Sequence, residues 1–452
     1  MRLPDLPRIA LALALTLPAA AQTPATLTGN WLVTGEDQSD PFYLRMTLDQ
    51  QGDKLSGTLT SDKFQGGTVT GNAIHFIVSN NRGGSEEIHA TVANGVITGT
   101  AIGTGHGEPT PHAVSFTAKP VPPLHNGKPA HYDFTPTVFY REFSPANKPV
   151  LTIHPLDTVH TTTVDAGGTD EHGVDRTRGG NPETGPFYIE GALPGDTLVI
   201  HINHLRLNRN WAISDDYLVD RALTRDLTLS SKDNGKSVRW NLDLAKGLAA
   251  PQDPGPHMKS FTIPVHPMLG CVATAVGRDT APPRTQDSGS YGGNMDFNGL
   301  NEGDTLYLPV SNPGGLLYLG DAHALQGDGE LNGNALETSM DVEFTVDVLP
   351  GKRINTPRVE TAADIISLGL DGSIDSAFAD ATGDMAQWLA DDYKLTPSEV
   401  AEFLGVASEY HVSEVADRNA GVVLKIAKSK LSTLPAPQPS SGDDPTVPHI
   451  SK

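Results

Sequence analysis

Period-two alternation of apolar and polar residues, broken every few positions by Gly, Asn or Pro, fills most of the chain before residue 352 and confines it to short antiparallel strands. Between about residues 25 and 118 the pattern is carried by GTLTSD, GGTVTGNAIHFIVS, HATVANGVITGTA and HAVSFTAKP. Gly71-Asn72 and Asn94-Gly95 mark the turns of two related hairpins, so this block is expected to be one small antiparallel β-sandwich or barrel. Its His75, His89 and His106 show no ligand-like grouping along the chain and read as solvated or packed side chains. Residues 119–131 (KPVPPLHNGKPAH) read as an extended, semi-rigid linker.

Strand patterning resumes from about 132 to 352. PLDTV (155–159), PGDTL (194–198) and EGDTL (302–306) repeat a turn-then-strand unit in which Asp157, Asp196 and Asp304 would bond nearby backbone groups. The recurrence predicts a mainly β body, sandwich or barrel. In LVIHINHL, the three-residue separation sends His201 and His204 to opposite faces of a strand, His204 alongside Ile200 and Ile202.

From 353 to 433 the period changes. Ile374, Ala377, Phe378, Met385, Trp388 and Leu389 fall at helical intervals. Thr396-Pro397-Ser398-Glu399 is a capping box with Pro at the first helical position, opening a second helix to about Ala407. Val412 to Asp417 reads as a third, shorter helix. Residues 434–452 have little to bury and are expected to be disordered.

Arg2 and Arg8, the apolar run Ile9–Leu17 and Ala19-Ala20-Ala21 predict a cleavable export signal over 1–21. That run is shorter than the roughly 20 apolar residues of a membrane span. A periplasmic or secreted protein without a span in its mature chain is expected. Cys271 is the only cysteine, which excludes an intrachain disulfide. The net charge of −22 disfavours nucleic acid and anionic membranes as partners.

The chemistry concentrates between His266 and Glu337. In GDAHALQGDGE (320–330), Asp321 and His323 stand two apart, as do Asp328 and Glu330, which on an extended strand places each pair on one face. Carboxylates beside an imidazole suit a divalent ion such as zinc. In TQDSGSYGGNMD (285–296), Gly292-Gly293 would present Asn294 and Asp296 from a tight turn. His266 ends the apolar strand Phe261–Val265, and Cys271 sits in apolar company that keeps a thiol inert. VHTTTVDAGG, with Asp165, and GGNPETGP (179–186) are further polar, Gly-supported stretches.

Taken together, GGNPETGPFYIEGALPGDTL (179–198), HPMLGC (266–271), GGNMD (292–296), GDAHALQGDGE and ALET (335–338) resemble the acetamidase/formamidase family, over roughly residues 130–433. The resemblance implies a mostly β fold with C-terminal helices, hydrolysis of short aliphatic amides, a metal at the site and a homo-oligomer. The corresponding scheme gives the metal to Asp321, His323 and Asp296, with His266 or Asp165 as further ligands; zinc is expected, with calcium the alternative. Glu330 would be the general base and Asn294 the oxyanion donor, with Glu337 orienting a metal-binding group and Asp328 joining the catalytic set. Gln326 and Gly293 would contact substrate. The front β module would dock to a surface or polymer. The alternatives are an exported binding protein on the same scaffold, or a hydrolase of a cyclic or larger amide.

Overall fold

The computed structural model describes residues 26–79, 83–104, 111–121, 124, 127–230, 235–278 and 280–435. The export signal expected over 1–21, His106 and nearly all of the tail expected to be disordered lie outside the described residues.

Eight strands between Gly29 and Pro120 close into a barrel, each paired with its neighbour in sequence. Alternation does the sorting: in Ala73–Ser79, Ile74, Phe76 and Val78 are at most 5% exposed while His75 and Ile77 face out. Phe64 and Phe76 stack across adjacent strands with centroids 4.1 Å apart. Burial of each such aromatic contributes about 1.5–3 kcal/mol. Gly71 (φ 60), and Asn94 with Gly95 (φ 53 and 74), supply the left-handed backbone the two-residue hairpin turns need.

The body comprises two large sheets. One runs, in spatial order, Glu409–Glu414, Ala420–Ala427, Asp364–Asp371, Arg358–Glu360, Thr305–Pro309, Thr197–Leu207, Met340–Leu349, Thr158–Thr162 and His131–Phe134. The other is centred on Leu317–His323, flanked by Met268–Ala273 on one side and Glu337–Thr338 on the other. One apolar cluster draws on both sheets, with Ile200, Phe344 and Val346 from the first and Phe187, Leu269 and Leu319 from the second. Phe187 meets Phe344 edge to face at 5.3 Å.

The three repeated Asp turns are built alike. Asp157, Asp196 and Asp304 each accept, through a carboxylate oxygen, the backbone N–H three residues earlier, at 2.8, 2.8 and 2.9 Å. These carboxylates organise turns, as their spacing predicts.

Helix Ile374–Tyr393 starts at Ser373, whose hydroxyl accepts the Ser376 N–H, and buries Ala377, Ala381, Met385, Trp388 and Leu389. Gly369 makes the seat for it: a Cβ there would lie 1.7 Å from the Ala377 carbonyl oxygen. Ile374 and Phe378 stay 44% and 45% exposed, with Phe378 stacked on Tyr410. Helix Pro397–Ala407 carries the expected Thr396–Glu399 capping box.

Two segments depart from what their sequence predicts. Val412–Asp417 is not a helix: Glu409–Glu414 is an edge strand with Tyr410 opposite Leu424 and Val412 opposite Val422, and the chain then turns. The interleaved exposure of Glu409 and His411 with half-buried Tyr410 and Val412 is strand periodicity. His204 does not point with Ile200 and Ile202, because a register shift between Ile202 and His204 resets the alternation and leaves His204 exposed. It pairs with Glu302 and Glu343, and His201 with the Thr305 hydroxyl.

Candidate active site

Strand Leu317–His323 is buried along its whole length and delivers Asp321 and His323 to the interior. His323 lies opposite Glu337 on one neighbour and Met268 on the other. Asp296 arrives just after Gly292–Asn294, its backbone N–H donating to the Gly270 carbonyl at 3.1 Å. Glu330 comes from the loop after His323, which is held to the edge strand by Gly329 N–H donating to the Val412 carbonyl at 2.9 Å.

Asp296, Asp321 and His323 bring donor atoms within 4.8 Å of one another, and so do His323, Glu330 and Glu337. None of the five is more than 7% exposed. Asp296, Asp321 and Glu330 hold left-handed backbone, with φ of 42°, 51° and 45°. Such conformations cost on the order of 1–3 kcal/mol each in non-glycine residues and gather at functional sites.

Gly270 opens the space between the carboxylates. It falls opposite Asp321 in the ladder, and a Cβ there would lie 2.5 Å from both Asp296 Oδ1 and Asp321 Oδ2.

The polarity of His323 is set from behind. Gln326 Nε2 donates to the carbonyls of Asp296 (2.5 Å) and Ser413 (3.1 Å), so its Oε1 faces His323 Nδ1 at 2.9 Å as an acceptor. Nδ1 therefore carries a proton, and Nε2 is the nitrogen available to a ligand. Nε2 looks at Glu337 Oε1 (3.1 Å) and Asp321 Oδ2 (3.6 Å). Three lone-pair bearers at that range need positive charge among them, either a proton or a metal ion. Burial opposes charging of His323, but Glu337 and Asp321 outweigh it and hold the imidazole well above its ordinary value. Burial first, then neighbouring carboxylates, pushes Asp296 well above the usual range and Glu337 to about 7. Asp296 Oδ1, Asp321 Oδ1 and Glu337 Oε2 are buried without a hydrogen-bond partner among the described residues. A donor set of one imidazole and several unsatisfied carboxylate oxygens fits a divalent cation, whose charge would reverse the cost of ionising them.

The other expected site residues separate into two groups. Asn294 is buried beside the cluster, but its Nδ2 donates to Asp296 Oδ2 (2.7 Å) and Asp417 Oδ2 (2.6 Å) and its Oδ1 accepts from Asn181. Both its protons are engaged, so it braces the acids and has none free for an oxyanion. Gln326 likewise braces His323. Gly293 (φ 95) shapes the turn beneath Asn294, where a Cβ would collide with the Asp287 carbonyl oxygen. Asp165 is buried but committed, accepting from Arg209 Nη2 at 2.7 Å and Thr169 N–H at 2.9 Å.

Asp328 and His266 are not brought to the cluster. Asp328 is exposed and bonded to Asn298 and His411, because residues 324–330 form a turn rather than a strand, so two-residue spacing does not place it with Glu330. His266 is exposed and lines a separate open groove with Arg206, Glu302 and Leu244. Cys271 is fully buried, and its thiol is raised well above its usual value by burial and then by Glu183.

Sequence reasoning missed Asp417, Glu183 and Glu414, the last of which accepts the Asp417 backbone N–H at 3.2 Å. Asp417 reaches Asn294 from the turn after the edge strand, and burial pushes its carboxyl up to about 6. Glu183, within the GGNPETGP stretch, is fully buried beside the Cys271 thiol, and burial first, then Asp321, pushes its carboxyl well above the usual range. Gly320 makes its room, since a Cβ there would meet Glu183 Oε2.

Sequence comparison matches residues 249–365 to the Acetamidase/Formamidase family. A formamidase of Methylophilus methylotrophus is 44% identical over 59 residues, 13% of this chain and 13% of that protein. An acetamidase of Mycolicibacterium smegmatis is 37% identical over 76 residues, 17% of this chain and 18% of that protein. The aligned segments thus span under a fifth of these relatives' length. Similarity to solved structures is broader. An acetamidase from Yersinia enterocolitica matches with TM-score 0.59 and 26% identity, over 68% of this chain and 95% of that one. An acetamidase from Bacillus halodurans matches with TM-score 0.58 and 25% identity, over 67% and 99%.

Proposed function

We propose, from the match of residues 249–365 to the Acetamidase/Formamidase family and the likeness of the fold to solved acetamidases, that the site around His323 hydrolyses short aliphatic amides, R–CO–NH2 plus water giving R–COO− and NH4+, with a divalent cation as cofactor. The observation that carries this reading is His323 Nε2, held as the ligand nitrogen by Gln326 and facing Glu337 and Asp321 with unpartnered carboxylate oxygens around it. Asp296, Asp321, His323 and Glu337 would hold the cation, zinc foremost and calcium the alternative. When bound, it supplies a Lewis acid that polarises the amide carbonyl and acidifies water.

The chain's own residues do the rest. Glu330 takes the proton from the attacking water on its carboxylate and returns it to the amide nitrogen as the C–N bond breaks. Gln326 keeps the His323 ring in one tautomer, and Asn294 donates to both Asp296 and Asp417, which fixes the two acids and offsets their mutual repulsion. The buried walls exclude bulk water, which strengthens each of these interactions.

Ammonia release from formamide, acetamide, longer amides and a cyclic amide, with and without a chelator, tests the reading. Glu330→Gln and His323→Ala should each lose at least ~10²-fold in activity, and His323→Ala should also lose bound metal. Full activity in both variants overturns the scheme. Hydrolysis confined to the cyclic amide would replace the substrate class and keep the site.

A further inference from the structure

On the strands Asp62–Thr70, Ala73–Ser79, Ser85–Ala93 and Val96–Thr104, Phe64, Ile74, Phe76, Val78, Ile88 and Ile97 are buried, with Phe64 stacked on Phe76, so recognition by these strands falls to their other, exposed face. There the strand register brings together residues that the linear sequence keeps apart. His75, in Ala73–Ser79, lies directly opposite His89, in Ser85–Ala93. Glu87 is two residues before His89 and so projects from the same face.

The three side chains converge. His75 Nε2 lies 2.8 Å and His89 Nε2 3.2 Å from the same oxygen, Glu87 Oε1. The rings are 4.8 Å apart and tilted by 39°. With side-chain exposures of 43%, 44% and 53%, the group is open to solvent on one side. The His75 hydrogen bond, then the charge of both imidazoles, holds the Glu87 carboxyl below its usual range, so it is an anion at neutral pH.

We propose that His75, Glu87 and His89 form a second metal-binding site, on the barrel, that takes a transition-metal cation of the zinc class. Two imidazole nitrogens and one carboxylate oxygen are the donors zinc and copper(II) favour, whereas calcium and magnesium select all-oxygen sets. A tetrahedral zinc with bonds of about 2.0–2.1 Å sets its ligand atoms roughly 3.3 Å apart. The observed 2.8 and 3.2 Å separations lie within about 0.5 Å of that, so small rotations of three half-exposed side chains complete the site. Backbone ordering is already provided: His75 is paired to Thr68 on one side and His89 to Thr100 on the other. Open coordination positions would be filled by water, or by a carboxylate or imidazole from another molecule.

The test titrates zinc into the metal-stripped full-length chain, by calorimetry and by counting zinc after equilibrium dialysis, and compares the native protein with His75→Ala/His89→Ala. The double variant should bind one fewer zinc per chain and hydrolyse amide at the native rate once re-supplied with metal. His75→Gln/His89→Gln, which keeps polar side chains on the barrel, should lose the same equivalent with an unchanged melting temperature. Copper(II) on the native chain should show electron paramagnetic coupling to two imidazole nitrogens that both variants lack. Unchanged zinc stoichiometry and affinity in the two double variants would overturn the proposal.

Discussion

Gly270→Ala adds one methyl group between the Asp296 and Asp321 carboxylates. The new Cβ would lie 2.5 Å from Asp296 Oδ1, 2.5 Å from Asp321 Oδ2 and 3.0 Å from the Asp321 carbonyl oxygen. Ordinary contact begins near 3.4 Å, so each carboxylate oxygen must retreat by about 0.9 Å, 3.4 minus 2.5. Gly270 is not among the left-handed glycines, so alanine meets no backbone strain and the effect is steric. Misplacing reacting groups by about 1 Å costs on the order of 10²-fold in rate. Overpacking of this kind costs about 1–3 kcal/mol of stability. The assay is kcat/KM on the best amide of the panel, alongside bound metal per chain and a thermal melt. A drop of roughly 10²-fold with partial loss of metal is expected. Gly277→Ala, whose methyl would meet only the Ser311 side chain at 3.4 Å and beyond, should behave as the native protein. Native kcat/KM and native metal content in Gly270→Ala would refute the reasoning that Asp296 and Asp321 share a ligand.

Three further outcomes are expected. Arg209→Met leaves Asp165 buried and unpaired, which should lower unfolding stability by about 3–5 kcal/mol in urea; a loss below about 1 kcal/mol contradicts the assignment. Cys271→Ala should keep amide hydrolysis within about threefold, and the native thiol should resist alkylation until the chain unfolds, since burial holds it protonated; abolished activity in a folded variant would restore the thiol as a nucleophile. Burial and then Asp417 raise the Glu414 carboxyl from 4.5 to about 8, so it stays neutral in the fold where the unfolded chain has already ionised. Native stability therefore falls as pH climbs from about 4.5 through about 8, and Glu414→Gln should unfold later than the native chain at pH 9 with the difference vanishing near pH 4; a pH-independent difference in melting temperature rules this out.

What the sequence disclosed followed from local periodicity. Strands, hairpin turns at Gly71-Asn72 and Asn94-Gly95, the capping box at Thr396 and the three Asp turns are all encoded within a few residues. Asp321 and His323 were legible as a pair because they sit on one continuous strand. Asp328 was misplaced because the chain leaves that strand at Ala324, after which spacing carries no facial information. Asp417 was hidden because its approach depends on an edge strand whose partner lies further along the chain. Glu183 and the His75–Glu87–His89 cluster were hidden for the same physical reason: cross-strand register, not distance along the chain, decides which side chains meet. A bulge between Ile202 and His204 defeated simple alternation in one strand, and no local residue pattern announced it.

Under the proposed function, a cation held at His323 makes this site an amide hydrolase. The most direct measurement is ammonia released from acetamide and formamide by the full-length chain as purified, after removal of metal by a chelator, and after zinc is restored, with bound metal counted at each stage. In the native protein hydrolysis is expected to fall with the metal content and return with zinc, and in His323→Ala to do neither. Hydrolysis that persists undiminished in metal-free protein, or a metal-replete chain that releases no ammonia from any amide, would contradict the proposed function.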